Sequence, residues 1–307
     1  MALADEREFS EWLNTVKAEL RSEGVASNAV DTALRNAQFL PRVIELDRKQ
    51  PEGRLTFSEY LEKQLVVSRI NRGRELRVQH RAILDKVADS YGVPAEYIVA
   101  LWGIETSYGA NTGGFDVVSA LATLAYEGRR AEYFRRELLQ ALRILEEGHV
   151  TPANMRGSWA GAMGQCQFMP SSFWNYAVDG NGDGKRNIWG SLPDVFSSAA
   201  NYLRTEGWNG QIGWGIEVRM PPDLRSIGDQ ASMPYAEWVA LGVKPVQANA
   251  VSPTAREPQS ALSLVQPDGP AGRAFLVTAN YAVIKHWNRS TYFATTVGLL
   301  ADRIGRE

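Results

Sequence analysis

One glutamate, Glu105, stands where a general acid would be expected. It follows residues 97–104, a run that is apolar on nearly every side and therefore indicates a buried helix. A carboxylate against an apolar wall loses hydration, so we expect its pKa to rise and its proton to be retained near neutral pH. The alternative interpretation is a glutamate that ends a helix and faces solvent.

A second group of candidate residues lies in the segment 157–172, which is rich in glycine and alanine and contains Gln165 and Gln167. Small residues allow a backbone to approach a ligand closely. A buried glutamine offers both a donor and an acceptor, which suits sugar hydroxyls or an N-acetyl group. The alternative is tight packing of helices at a glycine and alanine seam.

The segment beginning at Asp179 matches the start of an EF-hand loop, with oxygen ligands at positions 1, 3 and 5 and glycine at position 6. The glutamate expected at position 12 is absent, because Gly190 stands there. Asp194 can close a longer loop. The alternative is an Asx-rich turn that needs no metal.

The elements that must position these residues are mostly helices. Phe9, Leu13 and Val16 recur at helical steps, and Thr56 can cap a long helix running towards Tyr91, with Gly73 as a weak point. Further helices are predicted near 116–126, 130–147, 171–177, 194–206 and 291–304. Strand-like runs are predicted at 215–220, 246–250, 261–265, 274–279 and 281–284. The fold class is therefore α+β, mainly α, with a small β-rich lobe.

Composition excludes several classes of protein. The 307 residues allow one large domain or two modest ones, and a net charge of -2 gives no overall basic field for nucleic acid. The single cysteine, Cys166, allows no intrachain disulfide, and no apolar run is long enough to cross a bilayer. The first residues lack a signal peptide, which leaves either the cytoplasm or an exported protein whose signal was removed.

Four segments together resemble the lytic murein transglycosylase B family. They are 103–106 (GIET), 129–134 (RRAEYF), 157–172, and 201–203 (NYL). They occur in that family's order and approximate spacing, and the likeness extends from about Phe9 to the C-terminal helix. The segment 157–172 is the most specific of them.

The resemblance implies a lysozyme-like helical core and cleavage of the MurNAc–GlcNAc β-1,4 bond without water, which leaves a 1,6-anhydro-MurNAc end. By this analogy Glu105 first protonates the glycosidic oxygen and then acts as base on the C6 hydroxyl, while the sugar's own N-acetyl group stabilises the cation. One carboxylate suffices, unlike the pair in most glycosidases. Asp116 is the nearest downstream acid, and nothing in the sequence places it across a cleft.

The resemblance also assigns roles to individual residues. Ser158 and Gln167 match polar positions near the scissile sugar, and Tyr202 matches a cleft tyrosine. Arg129 and Arg130 match a pair expected to meet the anionic peptide stem, and the alternative is an exposed pair at a helix start. The remaining substrate positions are Tyr133, Tyr60 and Asn288. Trp287 stands where a tyrosine is expected. The lengthened loop implies a structural Ca²⁺, or Na⁺ in its place, on Asp179, Asn181, Asp183, the Lys185 carbonyl and Asp194, and no organic cofactor.

These observations predict four segments: helices over 1–93, a catalytic core with the metal loop over 94–210, the β-rich lobe over 211–290, and a C-terminal helix over 291–307 that packs back on the helical part. We expect a periplasmic monomer that acts on glycan strands, meets cell-wall synthesis enzymes, and reaches a membrane only through an anchor outside this chain. A hydrolytic muramidase and a non-catalytic peptidoglycan-binding scaffold remain as alternatives.

Overall fold

The computed structural model describes residues 2–25, 27–49, 55–224, 227–228, 231–247 and 252–306, and helices dominate them. The helices are α1 (Ala2–Ser22), α2 (Asn28–Asn36), α3 (Pro41–Arg48), α4 (Phe57–Gln64), α5 (Val67–Gln79), α6 (Arg81–Tyr91), α7 (Ala95–Thr106), α8 (Val117–Glu127), α9 (Ala131–Glu146), α10 (Pro170–Tyr176), α11 (Leu192–Thr205), α12 (Tyr235–Ala240), α13 (Ala279–Trp287) and α14 (Thr291–Gly305). The strands are β1 (Phe115–Asp116), β2 (Arg156–Gly157), β3 (Gly215–Arg219), β4 (Ser232–Pro234), β5 (Lys244–Pro245), β6 (Ala261–Val265) and β7 (Ala274–Val277). The predicted mainly α class is confirmed.

By packing, the chain forms two units, one from Met1–Glu52 with Glu105–Ala199 and one from Gly53–Ile104 with Ala200–Glu307. The division into four segments follows element type and stays a prediction. No helix in the described residues is long and apolar enough to cross a membrane.

The first unit is organised around α8, whose residues 117–125 are all buried. The Asp116 side chain caps this helix by accepting the Ser119 N–H at 2.8 Å, and Gly128, with a φ of 99°, ends it. Helix α9 packs beside α8, and α1 and α3 also contact α8. Strands β1 and β2 form a two-stranded antiparallel ladder, which brings Asp116 opposite Arg156.

The second unit contains an antiparallel sheet in the order β4-β6-β7-β3-β5. Alternate side chains of its strands fill an apolar core that includes Ile216, Val218, Leu262, Leu264 and the fully buried Trp238. Helix α14 packs on α4, α5 and α13 within this unit.

The long helix predicted from Thr56 towards Tyr91 is wrong, because three helices occupy that stretch. Thr56 does begin α4 through a capping box with Glu59. Helix α4 ends at Gln64, whose carbonyl accepts a hydrogen bond from the Arg69 guanidinium. Helix α5 ends at Gln79, just before His80. Gly73 is buried inside α5 and does not end a helix. Neither glycine nor proline stands at these two helix ends, so no local sequence signal marks them.

The strand predicted at 281–284 is also wrong, since these residues lie in α13. The Thr278 hydroxyl caps this helix by accepting the Asn280 N–H at 3.1 Å. Four apolar residues in a row fit a helix as well as a strand. The run predicted at 246–250 lies partly outside the described residues, and strand β5 precedes it.

Candidate active site

Glu105 lies in the last turn of α7 and is half-buried. The helix is apolar as predicted, and Ile98, Val99 and Ala100 are fully buried. After Thr106 the chain turns sharply, with Ser107 and Tyr108 at φ values of 50° and 62°. These left-handed conformations are costly for residues other than glycine.

The residues after Glu105 are tied to the segment 165–167. The Thr106 hydroxyl donates to the Gln165 carbonyl at 3.3 Å and accepts the Gly109 N–H at 3.0 Å. Burial raises the pKa of the Cys166 thiol, and the Glu105 carboxylate raises the pKa further. The hydrogen bond between Thr106 and Gln165 therefore holds the residue that follows the candidate acid against this segment.

Gln167 presents a hydrogen-bond acceptor. Its backbone is left-handed, with a φ of 50°. Its side-chain Nε2 donates to the Thr112 carbonyl at 3.0 Å and to the Gly164 carbonyl at 2.8 Å, so both amide protons are used. No described residue donates to Oε1. The side chain therefore has a fixed orientation and an acceptor available for a sugar hydroxyl or an acetamido N–H.

Ser158 presents a donor in the same unit. Its Oγ accepts the backbone N–H groups of Ala160 at 3.3 Å and Ala162 at 3.0 Å. The hydroxyl proton is donated to no acceptor among the described residues. The oxygen is held by two backbone groups while its O–H remains available to a ligand.

Two glycines let these backbones meet. A Cβ added to Gly113 would lie 2.1 Å from the Gly157 carbonyl oxygen, and one added to Gly157 would lie 2.2 Å from the Ala162 carbonyl oxygen. The helix seam predicted as an alternative for this segment is wrong, because Gly157 ends β2 and residues 158–169 form turns and isolated bridges. The small residues here serve close packing of backbone on backbone.

The cationic pair predicted to meet a peptide stem already has a partner. Arg130 and Arg129 reach the two oxygens of Asp47 at 2.5 Å and 3.6 Å. Asp47 is 4% exposed, whereas the two arginines are 42% and 56% exposed. Tyr133 packs edge-on against Phe134. Two guanidinium groups against one carboxylate leave one net positive charge at the surface.

Further candidates lie in the second unit. The rings of Tyr202 and Trp287 are 4.7 Å apart, so the tryptophan makes a ring contact where a tyrosine was expected. The Tyr60 ring lies 5.7 Å from that of Tyr292. Asn288 is exposed, and its Oδ1 accepts the Ser290 N–H at 3.0 Å.

The candidate metal loop is organised by carboxylates that accept backbone N–H groups. Asp179 accepts from Gly182 and Gly184, both at 2.7 Å, and the Gly184 N–H contributes most to the lowered pKa of this carboxyl. Asp194 is completely buried and accepts from Gly180 at 2.9 Å and Asn187 at 2.7 Å. Burial raises its pKa.

The other predicted ligands complete this loop. Asn181 Oδ1 accepts the Asp183 N–H at 3.0 Å, and Asp183 Oδ1 accepts the Lys185 N–H at 2.8 Å. Across the described residues, no three side chains of His, Cys, Asp or Glu converge as a ready metal cluster. Every predicted ligand atom of the loop is an oxygen, which is the ligand type that hard cations prefer.

Sequence reasoning missed the residues that hold the site in place. Thr112 positions Gln167 through its carbonyl, and Thr106 positions the segment 165–167 through its hydroxyl. A backbone carbonyl has no side-chain identity, so no pattern could reveal the first. A threonine directly after the candidate acid was the only signal for the second.

Comparisons with known proteins identify the family. The family described as Transglycosylase SLT domain matches residues 8–302. The membrane-bound lytic murein transglycosylase B of Escherichia coli K12 is 34% identical over 248 residues, which is 80% of this chain, and the chain spans 66% of that relative's length.

Two solved structures are similar over nearly the whole chain. SltB3 from Pseudomonas aeruginosa, solved with NAG-anhNAM-pentapeptide, is 41% identical with a TM-score of 0.90 over 96% of this chain and 79% of that one. Escherichia coli Slt35, solved with calcium, is 30% identical with a TM-score of 0.78 over 96% and 92%. The lysozyme-like helical fold and the resemblance found in the sequence are both confirmed. The chain belongs to the transglycosylase SLT domain family.

Proposed function

We propose that this chain is a peptidoglycan lytic transglycosylase, which cleaves the MurNAc–GlcNAc β-1,4 bond without water and leaves 1,6-anhydro-MurNAc ends. The observation that carries the proposal is a half-buried Glu105 beside a segment whose Gln167 has a fixed acceptor. Family membership supports it, as does the muropeptide bound to the related SltB3.

The reaction proceeds in two steps with one carboxyl group. The protonated Glu105 gives its proton to the glycosidic oxygen as the bond from that oxygen to C1 of MurNAc breaks, and the acetamido oxygen of the same sugar attacks C1. The Glu105 carboxylate then takes the proton of the C6 hydroxyl, O6 attacks C1, and the acetamido oxygen leaves. Gln167 Oε1 and the Ser158 hydroxyl are suited to hold the sugar during both steps.

The position of Asp116 favours this scheme over hydrolysis by a second carboxylate. Asp116 Oδ1 accepts both the N–H and the hydroxyl of Ser119, at 2.8 Å and 2.6 Å. A carboxylate engaged in capping α8 is poorly suited to activating a water. Hydrolysis is therefore the second candidate.

Digestion of purified sacculi, followed by mass analysis of the products, tests the proposal. We expect anhydro ends, which are one water lighter than hydrolytic reducing ends. Glu105→Gln should lower the rate about 10²- to 10⁴-fold, because the acid and base are lost together. Asp116→Asn is the matched control, since asparagine also caps helices and should leave the rate nearly unchanged.

Three results would overturn parts of this proposal. Reducing ends from the unmodified protein would show a hydrolytic muramidase. An inactive Asp116→Asn that folds normally would make Asp116 a second catalytic carboxylate. Unchanged release by Glu105→Gln would favour the non-catalytic scaffold.

We also propose that the loop of residues 179–194 holds a structural Ca²⁺ on Asp179, Asn181, Asp183, the Lys185 carbonyl and Asp194. The donor set fits this ion, because a completely buried carboxylate, Asp194, pairs with no cationic side chain among the described residues. The calcium bound to the related Slt35 supports the proposal. Calorimetric titration of metal-stripped protein with Ca²⁺ should give saturable heat, and its absence would contradict the site.

We propose that the chain acts in the periplasm, where its substrate lies. We propose glycan strands as its partner, with Arg129, Arg130, Tyr133, Tyr202, Tyr60 and Asn288 as further substrate contacts. Contact with cell-wall synthesis enzymes and a monomeric state complete the proposal.

A further inference from the structure

A pocket of about 440 Å³ lies in the first unit beside the segments already described. We name it the Arg156 pocket; its wall includes Thr112, His149, Arg156, Lys185, Asn187 and Trp189. The proposed mechanism uses none of these side chains. Lys185 enters the proposed metal site only through its backbone carbonyl.

The charge of this pocket is positive and uncompensated. Arg156 and Lys185 are exposed, and neither forms an ion pair with any described residue. Arg156 instead reaches the carbonyls of Ala153 at 3.3 Å and Gly114 at 3.5 Å, which orient its guanidinium. The wall contains no aspartate or glutamate.

The neighbouring polar groups leave that charge unchanged. His149 Nδ1 accepts the Arg186 N–H at 3.2 Å, and His149 Nε2 lies 3.0 Å from Glu147 Oε2. Arg186 itself lies 3.7 Å from Glu147 and is outside the wall. Asn187 Oδ1 already accepts from Trp189 and Gly190, which leaves its Nδ2 as a donor. The pocket therefore offers two cations and an amide donor.

Backbone contacts connect the Arg156 pocket to the candidate catalytic segment. The Thr112 carbonyl in its wall accepts from Gln167, and the Trp189 carbonyl accepts from the Gln165 side chain at 3.0 Å. Arg156 pairs with Asp116 in the β1–β2 ladder and precedes Ser158 by two residues. The half-buried indole of Trp189 is fixed by donation to the Arg156 carbonyl at 3.0 Å.

We propose that the Arg156 pocket binds a carboxylate of the stem peptide of the glycan strand that is held at Glu105. This inference rests on the proposed function. Stem peptides carry carboxylates, and a guanidinium and an ammonium in a wall without aspartate or glutamate suit such a group. The indole of Trp189 offers an apolar face to the peptide next to that charge.

The test measures binding on the Glu105→Gln background, where the ligand is not consumed. The probes are a tetrasaccharide muropeptide with its stem peptides and the same glycan after the peptides are removed. Arg156→Ala with Lys185→Met should weaken binding of the first about three- to thirty-fold and leave the second unchanged. Added salt should reduce the difference between the affinities for the two probes, because salt screens the charge interaction with the peptide carboxylate.

Arg219→Ala with Lys244→Met is the matched control. These two exposed residues are cross-strand neighbours in the second unit, and their loss changes the net charge by the same amount. The control should bind both probes as the parent does. Lys185→Glu alone provides a second variant if the first fails to fold, and it should weaken only the peptide-bearing probe.

The outcomes separate the two proposals. Binding of both probes with no effect of the pocket variants overturns the pocket alone. Equal weakening of both probes also overturns it, because the pocket would then contact sugar. If the background protein binds neither probe, the proposed function itself fails.

Discussion

Asp47 and Asp194 are both buried carboxylates of the first unit, and they are compensated in opposite ways. Asp47 lies against two guanidinium groups, whereas Asp194 accepts backbone N–H groups and has no cationic side chain among the described residues. Backbone donors satisfy hydrogen bonds but leave the charge in place. The difference separates an internally neutralised pair from a carboxylate suited to a cation taken from solution.

The largest effect is expected from Asp194→Asn, which tests the uncompensated side of this comparison. The amide puts N–H groups against backbone donors, so unfolding free energy should fall by about 1–3 kcal/mol even without calcium. The stabilisation by Ca²⁺, about 2.7 kcal/mol at a hundredfold excess over Kd, should also disappear. Urea unfolding with Ca²⁺ and with chelator measures both.

Asp183→Asn is the control for that experiment, because Asp183 is exposed and caps only a local turn. It should weaken the response to Ca²⁺ with little cost in chelator. If Ca²⁺ stabilised Asp194→Asn as much as the parent, Asp194 would not be a metal ligand. Asp194, like Asp47, would then need no cation from solution.

Asp302, a buried carboxylate of the second unit, can be compared with Asp47 and Asp194. It accepts a hydrogen bond from the Trp214 indole at 3.2 Å. Burial raises its pKa from 3.8 to about 6, and Arg306 opposes the rise. The folded state therefore binds more protons between these values. Its contribution to stability is complete below pH ~4 and is lost as pH rises through ~6.

Asp302→Asn should remove this dependence while keeping an acceptor for the indole. We expect stability near pH 7 to rise by roughly 1–3 kcal/mol relative to the parent and the difference to vanish near pH 4. Thermal unfolding across that range measures it. If the stabilities of the parent and Asp302→Asn changed with pH in parallel, the Asp302 carboxylate would not destabilise the folded state near pH 7.

The smallest effect is expected from Asp47→Asn, which tests the compensated side. Both arginines are largely exposed, so solvent replaces their partner and the loss should be about 1 kcal/mol. Chemical unfolding measures it, with Asp31→Asn, another carboxylate that meets two cations, as a more exposed control. A loss above roughly 3 kcal/mol would mean that Asp47 supports more than this pair.

Helices with strong local signals were predictable from the sequence. The buried helix before Glu105, the helices predicted near 116–126, 130–147, 171–177, 194–206 and 291–304, and three of the strand runs are present in the structure. The breaks at Leu65 and His80 were missed because contacts, not residue type, determine them. The four apolar residues at 281–284 fit a strand by pattern alone, whereas the Thr278 cap makes them part of a helix.

The candidate site was predictable where side chains carry the chemistry. Glu105, Ser158 and Gln167 share the first unit, and the structure shows that the Ser158 hydroxyl proton and Gln167 Oε1 have no hydrogen-bond partner among the described residues. The sequence could not show that Asp47 shares the charge of Arg129 and Arg130, since 82 residues separate Asp47 from Arg129. The Arg156 pocket was missed because turns far apart in the chain assemble it.

The left-handed backbones of Ser107, Tyr108 and Gln167 have a consequence for laboratory evolution. No other non-glycine residue in the described parts of the chain has a positive φ, and each such residue costs about 1–2 kcal/mol. A library screened for heat resistance alone should therefore accumulate glycine at these positions. Of these variants, the one with glycine in place of Gln167 would, under the proposed function, also digest sacculi more slowly, since the acceptor of Gln167 would be gone.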